Sequence, residues 1–151
     1  MRTELSRTVE SPADRVWEVV TDLERSPEVI RAIERIEVLE GESSPIQVGT
    51  RWRETRTMFG KSATEEMVVT DIRPESSYTV EADGPGAHYI SVISVAALDQ
   101  ERTTLTMSFA AEAKGFGSRI LAATIGRLFA GATRKALRQD LDDIAAAAER
   151  A

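Results

Sequence analysis

The chain has no cysteine, which excludes disulfides, a thiolate metal site and a cysteine nucleophile. It has one histidine, too few for a zinc centre built from several His or Cys ligands, and neither a metal nor another cofactor is expected. Long hydrophobic runs are missing too. The best candidate, residues 120–132, is shorter than a membrane span and carries Arg127. Residues 1–20 lack the unbroken apolar core of a signal peptide. Integral membrane association is therefore not expected, and a soluble cytoplasmic protein is the default. Positive charge is in deficit, with 19 Lys and Arg against 25 Asp and Glu and a formal charge of −6. Phosphate recognition needs a basic face, so nucleic acid is not an expected partner.

What remains suits one globular unit. A chain of 151 residues fits a single domain, 1–151, and is long enough to bury ~70% of its unfolded surface. Residues 3–10 read as a strand that runs into Ser11-Pro12-Ala13-Asp14, a helix start. Ser11 is the expected cap, Pro12 sits where a missing N–H is harmless, and Asp14 places charge at the positive end of the dipole. Ser26-Pro27-Glu28 repeats the same chemistry. Strands follow at 34–40, 50–59, 61–73, 77–82, 88–98 and 102–113. They are separated by a loop at 41–49, Gly60, Pro74-Glu75-Ser76, Asp83-Gly84-Pro85-Gly86 and Asp99-Gln100-Glu101. Such short breakers join antiparallel neighbours. A strand, two short helices, a meander and a long last helix build an α+β container: a curved sheet around one helix with a cavity between.

The last helix, residues 118–150, has apolar positions at Leu121, Ile125, Leu128 and Ala132, then Leu137, Leu141, Ile144 and Ala148. The five-residue step between the two sets swings the stripe by more than a hundred degrees. Either the halves bury different faces or the helix bends near Gly131. Gly126 and Gly131 each cost about 1 kcal/mol relative to Ala inside a helix, which calls for a packing or bending reason. Two readings stand: close packing along the whole length, or a front half (Leu121, Ile125, Leu128, Phe129) that roofs a cavity while the rear half anchors.

In the strand at 50–59, Trp52, Glu54, Arg56 and Met58 share one face, and Arg51, Arg53, Thr55 and Thr57 share the other, which is plainly the solvated one. Glu54 and Arg56 thus point indoors. Charges there are costly unless paired, and the pair reads either as a salt bridge at an open sheet edge or as a device that orients a ligand. Arg7 shares a face with Leu5 and Val9; it either reaches the polar end of a ligand or snorkels to the sheet margin. Trp17, with Val16, Val20 and Leu23, is packing. Met107 and Phe109 share a face with Leu105, Tyr78 shares one with Val80, and Ile93 and Val95 belong to the same inner surface. These side chains fill space or form a wall that accepts varied ligands.

His88 invites a general-base role, but it follows a Gly-Pro-Gly turn with no Ser or Asp in a triad-like motif beside it; a partly exposed histidine near a turn is the expectation. Glu65-Glu66 reads as a solvated strand face rather than a metal site. Gly115-Phe116-Gly117 lacks the spacing and setting of a nucleotide loop and reads as a hinge at the cavity mouth.

Four segments carry a family likeness: VESPADRVWEVVTDLERSPEVI from residue 9, VGTRW from 48, DIRPESSYTVEA from 71 and ERTTLTMSF from 101. With the closing helix, they make the whole chain resemble the START-related (SRPBCC) superfamily, and within it the polyketide cyclase/dehydratase-like group. The resemblance implies a helix-grip fold, with about seven antiparallel strands around the C-terminal helix and a hydrophobic pocket between them. Members bind lipids, quinones, polyketides or hormones; some catalyse, some carry and some act on other proteins. The superfamily shares a pocket rather than a motif, so no catalytic residue transfers.

Three functions are compatible: a binding or transport protein for a small hydrophobic or amphipathic molecule, a cyclase/dehydratase-type enzyme, and a protein-interaction module. No acid/base set is evident, which favours binding over catalysis. An acidic surface without a large apolar run gives the third no support. The expected ligand-binding residues are Arg7, Trp52, Glu54, Arg56, Tyr78, Ile93, Met107, Phe109, Leu121, Ile125 and Phe129. Nothing in the sequence speaks to oligomeric state.

Overall fold

A computed structural model describes residues 2–58, 60–84, 86–113 and 116–150; for residues 58 and 116–129 it is the backbone alone that is described. The elements are β1 (Arg2–Val9), α1 (Ala13–Thr21), a 3-10 turn (Leu23–Arg25), α2 (Ser26–Val29), β2 (Ile33–Glu40), β3 (Arg51–Met58), β4 (Lys61–Arg73), β5 (Ser77–Gly84), β6 (Ala87–Ala97), β7 (Thr103–Ala113) and α3 (Phe116–Glu149). The strands form one antiparallel sheet in the order β1-β7-β6-β5-β4-β3-β2. This is the expected helix-grip architecture, and each strand lies within a residue or two of its expected place.

The meander pairs each strand with the next because the turns are too short for anything else. Gly60, at φ +78°, takes the left-handed conformation that a tight β3–β4 connection requires. Register shifts between Ile33 and Arg35, between Val38 and Glu40, and between Val69 and Asp71 mark bulges. An extra residue on one side of a ladder bends the strand, and these bulges curve the β2–β5 side of the sheet.

The loop between β2 and β3 is held down at several points. Its Ile46 N–H donates to the Thr21 carbonyl at 3.0 Å, and Leu23 N–H donates to the Ser43 carbonyl at 2.9 Å. Thr50, fully buried, donates its hydroxyl to the Glu42 carbonyl and accepts from Gln47 N–H. Gly41 makes this possible: at φ +80° it lies so close to Thr50 that a Cβ would sit 3.1 Å from the Thr50 Cα. The result brings Ile46 and Leu23 together with Trp52, Val69 and Val80 in one apolar cluster.

A second cluster joins Val9, Val16, Ile93, Val95 and Leu105 to Leu141, Ile144, Ala145 and Ala148 of α3. The small side chains of Ala145 and Ala148 let the rear of α3 lie directly on β1 and β7. Hydrogen bonds lock this end: Ser11 Oγ donates to the Ala148 carbonyl at 3.1 Å, and Glu10 N–H donates to the Glu149 carboxylate at 2.8 Å.

Two expectations need correction here. Ser11 does not cap α1. The cap position falls one residue later, on Pro12, which has no side-chain bond to give, and the Ser11 hydroxyl donates instead to the Ala148 carbonyl of α3. Ser26 does not cap α2 either; its hydroxyl donates back to the Asp22 carbonyl, and Arg25 precedes the helix. Of the two reasons expected for Gly131, packing finds no support among the described residues, where a Cβ would meet nothing within 4 Å. The rear stripe holds as expected, with Leu137, Leu141, Ile144 and Ala148 all buried. Among the described residues, no helix is long and apolar enough to cross a membrane.

Candidate functional site

A cavity of about 470 Å³ lies between the two apolar clusters, walled by the sheet, by α1 and α2 and by α3. Strand alternation decides what it sees. On β3, Trp52, Glu54 and Arg56 face inward and border it; on β6 and β7, so do Ile93, Met107 and Phe109. Tyr78 packs against both clusters and closes the wall between them. Its ring meets Trp17 edge-on at 6.1 Å, and its hydroxyl donates to the Val20 carbonyl at 2.9 Å. Burial, and secondarily the charge of Glu54, push the Tyr78 hydroxyl well above the usual phenol range, so it stays protonated.

The cavity has one strongly polar end. Glu54, 7% exposed, accepts from Trp52 Nε1 at 3.3 Å and from Arg56 Nε at 3.0 Å. Arg56 Nη1 then donates to Asp140 Oδ2 on α3 at 3.0 Å. Burial opposes the charge on Arg56, but Glu54 and Asp140 outweigh it and hold the guanidinium above its usual value. Across the β3–β4 ladder, Glu65 stands directly opposite Glu54 and borders the same space. Like charges in that position repel. Desolvation, then the Glu54 charge, push the Glu65 carboxyl up, with Arg56 pulling the other way. Asp140 is likewise pushed up, chiefly by desolvation, against the pull of Arg56. Among the described residues, no group of three or more His, Asp or Glu side chains is placed to hold a metal ion.

The structure brings seven of the expected residues together: Trp52, Glu54, Arg56, Tyr78, Ile93, Met107 and Phe109 all border the cavity. Arg7 does not. Strand parity puts it on the inner face as read, but its guanidinium bonds Asp142 on α3 and its side chain remains 37% exposed. The helix lies too close to β1 to leave space there. The side chains of Leu121, Ile125, Leu128 and Phe129 lie outside the described residues, as do Gly115 and the Phe116 side chain of the expected hinge. Glu65 corrects the reading of a solvated pair: Glu66 faces out and meets Arg51 at 3.1 Å, whereas Glu65 faces in. His88 sits on the opposite face from the cavity, with Nδ1 2.7 Å from Asp83 and Nε2 2.8 Å from Glu81. Those two carboxylates, Asp83 first, raise its pKa above the usual imidazole value.

Sequence reasoning missed Asp140, Glu65 and Tyr89. A signal existed for each. Asp140 lies three residues after Leu137 and four before Ile144, inside the apolar stripe. Glu65 shares parity with Met67, and Tyr89 has the parity of Ile93. The Tyr89 ring stacks on Phe109 at 5.7 Å and passes over Gly84, where a Cβ would sit 2.7 Å from the ring.

A family profile described as polyketide cyclase / dehydrase and lipid transport matches residues 1–149. The chain belongs to this family. Solved structures that share the fold include TTHA0849 from Thermus thermophilus. It is 16% identical, with 99% of this chain and 98% of that chain covered and a TM-score of 0.79. The Zhui aromatase/cyclase from Streptomyces sp. R1128 is 23% identical, with 99% and 94% covered and a TM-score of 0.77. A point mutant of Thalictrum flavum norcoclaurine synthase, in complex with a transition-state analogue, is 17% identical, with 99% and 94% covered and a TM-score of 0.78. No curated protein sequence matches the chain. Polyketide cyclase membership places the chain in the SRPBCC group anticipated from its motifs.

Proposed function

We propose that this polyketide cyclase family member binds a small hydrophobic or amphipathic molecule between its sheet and α3. The carrying observation is the cavity itself: about 470 Å³, within the range typical of small-ligand sites, apolar along its walls and polar at one end. Such a shape holds an apolar frame by burial and orients it by one polar group. The family description, which spans polyketide chemistry and lipid transport, supports a small organic ligand. So does the fold shared with an aromatase/cyclase and a norcoclaurine synthase.

The test is titration with the neutral dye N-phenylnaphthylamine, together with native mass spectrometry of freshly purified protein. Saturable one-to-one binding is expected. Ser91 borders the cavity opposite Phe109, so Ser91→Phe should fill the space and weaken the dye at least about tenfold, a loss of about 1.4 kcal/mol. A folded protein that binds no dye and retains no small molecule would remove the container reading.

A second reading, a cyclase/dehydratase-type enzyme, rests on Asp140 and Glu65. Both border the cavity and are pushed up by burial, which suits a carboxyl that holds a proton and delivers it as a general acid. Turnover of a poly-β-carbonyl substrate to an aromatic product, lost in Asp140→Asn while the dye still binds, would favour this reading over simple carriage.

A further inference from the structure

We propose that the ligand's polar end is a protonated amine, seated beside Asp140 and Glu65 at the Arg56 end of the cavity. This deepens the container reading and rests on it.

Two buried aspartates on α3 make the case by contrast. Asp143 has both oxygens engaged, accepting from Arg31 N–H at 2.9 Å and from Arg31 Nε at 3.0 Å. Asp140 is more deeply buried, 3% exposed against 9%. Its Oδ2 takes Arg56, and its Oδ1 has no hydrogen-bond partner among the described residues. Leaving such an oxygen unmatched is expensive, and buried polar groups are nearly always satisfied. Asp140 borders the cavity; Oδ1 itself is closed off from open space, so a turn of the carboxylate brings it to a ligand donor, which is its natural complement.

Charge selects the kind of donor. Three carboxylates border this end (Glu54, Glu65 and Asp140), and Arg56 already bridges two of them. Lys61 also borders the cavity but is exposed, where water screens its charge. A ligand carboxylate or phosphate arriving here would meet an excess of negative charge in a poorly screened space. An ammonium group would relieve the Glu54–Glu65 opposition and supply the missing donor to Asp140 Oδ1, in a charge-assisted bond. The raised carboxyls of Asp140 and Glu65 fit the same account, since a nearby cation would return both to the ionised form.

The experiment compares four probes on one apolar frame by titration calorimetry with the whole chain at neutral pH: naphthylethylamine, naphthylethanol, naphthylacetic acid and ethylnaphthalene. The amine should bind about tenfold or more tightly than the other three, the factor a charge-assisted bond readily supplies. In Asp140→Asn the amine should lose that advantage over the alcohol, and in Glu65→Gln the advantage should shrink. Far-UV circular dichroism and thermal melting confirm that each variant is folded. If Asp140→Asn does not fold, Glu65→Gln alone carries the comparison. Binding of ethylnaphthalene without any gain for the amine, tightest binding of the acid, or an advantage unchanged in the folded variants would each overturn the amine while leaving the container intact. Failure of all four probes would remove the container and the amine together.

Discussion

Two arginines reach from the inner face of the sheet to the rear half of α3, and they end in different worlds. Arg7 on β1 meets Asp142 with side-chain exposures of 37% and 51%, whereas Arg56 on β3 meets Asp140 with exposures of 20% and 5%. Both follow the same strand parity. The difference lies in what separates strand from helix. At β1, Ala145 and Ala148 let α3 rest on the strand, so Arg7 is squeezed outward to a wet margin. At β3 the cavity intervenes, and Arg56 turns into it. One end of the grip is a closed core whose strength comes from packing; the other is an open site whose character comes from charge. A residue type and a face are therefore not enough to mark a binding group; the gap beside it decides.

The sharpest way to break that contrast is to hollow out the closed end. Leu141 is 2% exposed within the core cluster, and Leu141→Ala should lower stability by about 2–5 kcal/mol. Urea unfolding would show it as a lower midpoint with an unchanged slope. A loss under about 1 kcal/mol would mean that the closed end is not what holds the molecule together.

At the open end, Arg56→Met should cost about 3 kcal/mol, the lower part of the range for a broken buried pair, because Glu54 and Asp140 lose their shared cation. Adding Glu54→Gln should restore much of that loss by removing one stranded charge. Equal stability of the single and double variants would show that the carboxylates are better solvated than their burial indicates.

Arg7→Met supplies the control for the same chemistry in water. Exposed pairs contribute about 0–1 kcal/mol, so its melting temperature should barely move and its affinity for N-phenylnaphthylamine should match the parent. A large loss of affinity would return Arg7 to the site.

The smallest effect concerns His88 on the outer face. Its pKa is raised in the folded protein by Asp83 and Glu81, so the folded state holds the proton more tightly than the unfolded chain does. The resulting stability is fully present below the ordinary value of 6.5 and fades as pH rises through the folded value. The melting-temperature gap between parent and His88→Gln should accordingly be widest near about pH 5 and close in alkaline buffer. A gap that widens with pH would reverse the assignment.

Much of the wall is legible in the sequence, because faces are local. Period two put Trp52, Glu54 and Arg56 indoors, and the same rule put Met107 with Phe109. The cap of α1 is not legible in the same way: the helix begins one residue later than Ser11, at the cap position Pro12, and the Ser11 hydroxyl donates to the distant Ala148 carbonyl. Local propensity marks where a helix starts to within a residue, and tertiary packing decides which residue holds the cap.

The sequence by itself determined the order of strands and helices, the antiparallel meander, the buried stripe of α3 and the family. The first three depend on periodicity and turn chemistry, whose reach is a few residues, and the family on the likeness of a few short segments. Tertiary structure alone decided that Arg56 meets Asp140, 84 positions away, that Glu65 opposes Glu54, and that a cavity separates α3 from β3 but not from β1. Alternation fixes which way a side chain points, but the distance to the next layer is set by the side chains packed everywhere else between sheet and helix.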